Sequence, residues 1–115
     1  YSYNLKEDGT IDTENLIEPI EIGKMSTSTP AIANGRCYVG SSYGSNFSGT
    51  YGISVVDINA ETGAMSLEYV VYTDAYPQTS GVVSTGYKGY NYVYFATNGM
   101  AFSLHTLCTY ESFTP

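Results

Sequence analysis

The chain has 115 residues, of which 43% are hydrophobic and 13% charged, a balance that suits one modest packed domain rather than a disordered chain. Eleven acidic residues against Lys6, Lys24, Arg36 and Lys88 give a net charge of -7 with no basic cluster, which argues against nucleic acid as a partner. No run approaches the roughly 18 apolar residues of a membrane-spanning helix, so no membrane span is expected.

Thirteen tyrosines, twelve glycines and no tryptophan point to a β-rich, turn-rich chain of the kind found on bacterial surfaces or among secreted proteins. An extracellular or cell-surface location is therefore expected. Taken from the N-terminus, residues 1–5 read as a strand, Glu7-Asp8-Gly9 as a turn, and 16–22 as a second strand, because Pro19 interrupts any helix there and suits an extended edge. Strands are next predicted at 29–32 and 37–41, joined by Ala33-Asn34-Gly35. Strands at 53–57 and 65–72 follow, joined by Glu61-Thr62-Gly63. Further strands are predicted at 80–83, 93–97 and 101–104, with turns at Lys88-Gly89 and Asn98-Gly99. Asn and Gly supply the positive φ angles that tight connections between twisted strands require.

These elements repeat. Thr29-Pro30-Ala31-Ile32 followed by Cys37-Tyr38-Val39-Gly40-Ser41 has the grammar of Ser80-Gly81-Val82-Val83 followed by Val93-Tyr94-Phe95-Ala96-Thr97, at a period on the order of fifty residues. An antiparallel sheet with apolar residues on both faces hides them only between neighbours, as stacked blades do. The expected fold is all-β: antiparallel four-stranded blades of a β-propeller, a partial propeller of about two blades. A small β-sandwich of the same strands is the alternative. Residues 1–24 read as the last two strands of a preceding blade, 25–73 as a complete blade and 74–115 as most of a following one. The chain is thus expected to be a fragment of a longer propeller, with the remaining blades or further copies of itself as partners.

The stretch STSTPAIANGRCYVGSSYG, with GISVVDINAETGAMSLEYVV after it, resembles the blade of the PQQ-like, quinoprotein-type β-propellers. The likeness is best over residues 26–72, and Leu67 stands where that family carries a tryptophan. It implies a propeller fold, with a fragment of a PQQ-dependent dehydrogenase-like enzyme as an alternative function. The function expected first is a non-catalytic scaffold for protein or glycan binding, with no cofactor.

The candidate ligand-binding residues lie in two aromatic loops, Tyr43, Asn46, Phe47 and Tyr51 in one and Tyr87 and Tyr90 in the other. Rigid rings beside Ser and Asn give contact area and adaptable hydrogen bonds, as sugar- and protein-binding loops do. Asn46-Phe47-Ser48 also fits the N-glycosylation pattern. Asp57, Asn59 and Glu61 present oxygens at alternating positions before a glycine, but in the wrong register for an EF-hand; the reading is a hydrogen-bonded turn with solvated acids, against a calcium site. His105 is read as an ordinary strand residue, since a general base needs a nucleophile and an orienting acid beside it. Cys37 and Cys108 are read as buried free thiols, with a disulfide as the alternative.

Overall fold

The computed structural model describes residues 1–44, 50–87, 90–97 and 103–109, with side chains over 1–44, 50–84 and 92–97. Among the described residues there is no helix; seven strands form two antiparallel sheets. The first sheet holds β1 (Ala31–Ala33), β2 (Arg36–Ser42), β3 (Tyr51–Ile58) and β4 (Met65–Thr73), side by side in chain order. The second holds β5 (Val82–Tyr87), β6 (Tyr90–Thr97) and β7 (Ser103–Thr109), again in chain order. Each sheet is a meander, the arrangement that short turns between successive strands dictate.

The turns form where the sequence places them. Asn34 and Gly35 both hold positive φ, 52° and 75°, as a two-residue type I′ connection of twisted strands requires. At the β3–β4 turn Gly63 has φ 75°, and Asn59 closes the loop through its main chain, donating to Ala64 O and accepting from Gly63 N, each at 2.8 Å. A register shift at Val55/Val56 marks a bulge in the β3–β4 ladder. The expected turns at Lys88-Gly89 and Asn98-Gly99, and residues 101–102 of the expected last strand, lie outside the described residues.

Alternation along the strands gives the first sheet two faces. Ala31, Tyr38, Val55 and Tyr69 form a cross-strand row on one face, with Gly40, Ile53 and Val71 beside it. Cys37, Val39, Ser54, Val56 and Val70 lie on the other. Burial concentrates on β2 and β3, whereas β4 is exposed over most of its length. Tyr38, Ile53 and Val55 pack with Val93 and Phe95 of β6 into one core cluster, so the core lies between the sheets. The sheets approach most closely at their first strands, where Cα atoms of β1 and β5 come within 8 Å. Face-packed sheets lie about 10 Å apart, so these two converge along β1 and β5.

The connector from β4 to β5 crosses the Tyr38 face and ties the sheets together. Tyr76 and Pro77 are buried there; Pro77 covers Gly40, leaving no room for a side chain at that position. The Tyr76 hydroxyl accepts from Thr27 N at 3.1 Å, Ser28 Oγ donates to Thr79 O at 3.0 Å, and Thr29 N donates to Ser80 Oγ at 3.1 Å. Thr79 Oγ1 accepts from Ala96 N and donates to Ala96 O, which fixes the connector to β6.

The strands expected at 1–5 and 16–22 do not form. This region has only an isolated bridge, Leu5 with Ile11, around a tight loop closed by Gly9 N to Lys6 O at 2.9 Å and Lys6 N to Thr10 O at 2.8 Å. Asp12 then turns the chain by accepting from Glu14 N and Asn15 N, and Pro19 offers no amide hydrogen for a ladder. The segment instead lies against the Val39 face of the first sheet. Ser54 Oγ donates to Ile22 O, Gly23 abuts Ser41 and Ser42, and Ile17 sits against Gly63. A second bridge, Met25 with Ser42, leads into the first sheet.

Candidate functional site

The aromatic residues expected to form a rim are placed as follows. Tyr43 is half-buried on the Val39 face: its hydroxyl bonds Ser54 Oγ, and its ring meets Tyr72 edge-on at 6.1 Å. Burial holds its phenol above the usual tyrosine range, an effect opposed by the Ser54 hydrogen bond. Tyr51, on the other face, packs its ring 5.8 Å from that of Tyr76. The two tyrosines therefore serve opposite faces of one sheet rather than one shared surface. Asn46 and Phe47 lie outside the described residues. Tyr87 and Tyr90 pair with one another as the residues flanking the β5–β6 connection.

Asn59 spends its side chain on its own turn. Its Oδ1 accepts from Glu61 N at 2.9 Å and Thr62 N at 3.0 Å, while Thr62 Oγ1 accepts from Ala64 N. Asp57 pairs with Arg36 across the β2–β3 ladder, Nε to Oδ1 at 2.7 Å, and the guanidinium carbon lies 5.9 Å from the Tyr69 ring centroid. Glu61 is exposed. Two of the three oxygen-bearing residues considered for calcium are thus engaged structurally. His105 pairs with Phe95 and Cys108 with Tyr92 in the β6–β7 ladder. Cys37 is a free, half-buried thiol, and burial pushes its pKa up, which lowers its reactivity as a nucleophile.

The feature that sequence inspection missed is how the two sheets face one another. Ala31 opens β1 opposite Tyr38, and Val82 opens β5 opposite Tyr94. The hairpins therefore match position for position in the register that the sequence repeat gives. Yet Tyr38 is fully buried between the sheets, while its counterpart Tyr94 is only half-buried and Val82 beside it is 65% exposed. The second sheet turns the other side inward: Val93, Phe95 and Thr97, counterparts of Cys37, Val39 and Ser41. One face of the first sheet thus meets, in the repeat's register, the opposite face of the second. The outward face of the second sheet carries Val82, Ser84, Tyr92, Tyr94 and Ala96.

No helix among the described residues is long and apolar enough to cross a membrane. Comparison with family models, curated proteins and solved structures finds no match for this chain.

Proposed function

We propose that this chain is a non-catalytic module of β-propeller type from a secreted or cell-surface bacterial protein, serving as a scaffold for protein or glycan contacts. The observation that carries the proposal is the stacking of unlike faces. Two repeats that close a sandwich on themselves bury equivalent faces against each other. Repeats that stack around an axis bury one face against the other, and an open run of them leaves an outward copy of the same surface at its end. Convergence of the sheets at their first strands adds to this, since blades of a propeller crowd together at their innermost strands.

In this reading the Tyr94 face receives a further sheet of the same design, as the Tyr38 face receives Val93 and Phe95. The likeness of residues 26–72 to PQQ-like blades supports the same architecture. The non-catalytic role is supported by the ionisable side chains being paired rather than poised as a base or nucleophile: Asp57 bonds Arg36 and Tyr43 bonds Ser54. Incubation with PQQ and calcium, followed by alcohol- or sugar-dependent dye reduction, tests the non-catalytic reading. The expected result is no turnover above that of a heat-denatured control; sustained turnover would overturn it.

A further inference from the structure

The β1–β2 turn and the β3–β4 turn project from the same end of the first sheet, opposite the end that carries Tyr43 and Tyr51. Between them lies a hollow of about 490 Å³, within the range of about 300–1,000 Å³ typical of small-molecule sites. Its polar lining comes from Asn34, Arg36, Asp57, Asn59 and Ser66, with Ile58 as an apolar contribution. Both walls are held before any ligand arrives. The first is fixed by the paired positive φ angles of Asn34 and Gly35, the second by the Asn59 side chain, and Ile58 N donates to Gly35 O at 2.8 Å to join them. A site already in shape loses little ordering entropy on binding.

The chemistry of the lining selects the ligand. Arg36 and Asp57 form a pair whose charges offset, so the hollow offers a carboxylate acceptor and guanidinium donors side by side without a net charge of its own. The surrounding chain, at net charge -7, disfavours an anion, and the Asp57 carboxylate that a cation would need is already paired with Arg36. Asn34 and Ser66 add polar atoms to the lining, Asn59 adds its Nδ2 donors while its Oδ1 stays on the turn, and Ile58 supplies a surface for C–H groups. A neutral compound that carries adjacent hydroxyls fits all of these: each hydroxyl donates to Asp57 or a side-chain carbonyl and accepts from Arg36 or an amide.

We infer that this hollow between the two hairpin turns is a binding site for a neutral saccharide. This rests on the reading of the chain as a binding module and is independent of how many sheets stack beside it. The test is an NMR titration of the ¹⁵N-labelled chain with neutral di- and tetrasaccharides of glucose, galactose and N-acetylglucosamine, with acetate, inorganic phosphate and calcium as comparison probes. At least one saccharide is expected to give saturable shifts at the amides of Gly35, Ile58, Asn59 and Ala64. The double variant Asn34→Gly, Ser66→Ala keeps a turn residue that accepts positive φ and is expected to weaken that binding about tenfold with the fold unchanged in the spectrum. Asp57→Asn is expected to weaken it further.

Saturable shifts from phosphate, acetate or calcium at these amides, with none from saccharides, would overturn the assignment. So would saccharide shifts confined to Tyr43 and Tyr51 at the other end, although those would leave the glycan-binding reading of the module standing. Failure of every saccharide to shift any amide overturns both the site and glycan binding by these sugars, while leaving the sheet stacking to its own test.

Discussion

Gly81 lies against the Phe95 ring within the second sheet, and that contact is measurable. An ideal Cβ at position 81 falls 2.6 Å from Phe95 Cζ, 2.8 Å from Cε2 and 3.2 Å from Cε1, against about 3.5–4.0 Å for an unstrained carbon pair. The ring is 1% exposed and belongs to the core cluster between the sheets, so it has nowhere to retreat without opening a void. Gly81→Ala is therefore expected to destabilise by about 1–3 kcal/mol, the usual cost of overpacking. Phe95→Leu removes the three ring atoms that the methyl would strike and by itself costs about 2 kcal/mol in lost packing. Combined, the two substitutions should cost at least about 1 kcal/mol less than the sum of the singles, because the leucine makes room for the methyl. Urea unfolding of the four proteins, followed by circular dichroism and analysed at a common m value, gives these differences directly. Strict additivity would refute the reasoning, since residue 81 would then not lie against the ring.

Three further outcomes follow from the geometry. Tyr38 Oη is fully buried with no hydrogen-bond partner among the described residues, so Tyr38→Phe is expected to leave stability unchanged or raise it by up to about 2 kcal/mol; a loss above about 1 kcal/mol in the same urea assay would show that the hydroxyl is satisfied. Asn59→Ala removes the acceptor for Glu61 N and Thr62 N at an exposed turn and should cost about 1–2 kcal/mol, whereas Asn59→Asp should retain most of the stability because its carboxylate accepts the same bonds. Asp8 titrates below the usual aspartate range, chiefly because the Thr10 hydroxyl donates to its carboxylate. Stability from this contact is present above the unfolded-state pKa and is lost as pH falls through the lowered folded-state value. Thr10→Ala should move the NMR-detected Asp8 midpoint upward, and an unmoved midpoint would exclude the hydroxyl as the cause.

The hairpins were legible in the sequence because local chemistry dictates them. Asn34-Gly35 sits where two positive φ angles are needed, and β2 and β3 exceed the expected 37–41 and 53–57 only by residues at their ends. The N-terminal strands do not form for a physical reason: residues 16–22 have strand-like alternation, but a strand exists only with a hydrogen-bonded neighbour; Asp8 and Asp12 turn the backbone locally before this stretch, and Pro19 within it has no amide hydrogen for a ladder. Tyr43 and Tyr51 looked like one exposed aromatic cluster, yet alternation across the β2–β3 loop sends them to opposite faces. The pairing of unlike faces was hidden because Tyr38 and Tyr94 are the same residue in the same register. Only the neighbour each one meets distinguishes them.

The most direct test of the stacking is a NOESY spectrum that reads which side of β6 touches the first sheet. Cross-peaks are expected from the Tyr38 ring and the Val55 methyls to the Val93 methyls and the Phe95 ring, and none from Tyr38 to Tyr94. Contacts of Tyr38 and Ile53 with Tyr94 and Val82, with Val93 and Phe95 turned away from the first sheet, would mean that like faces meet, and would contradict the stacking of unlike faces.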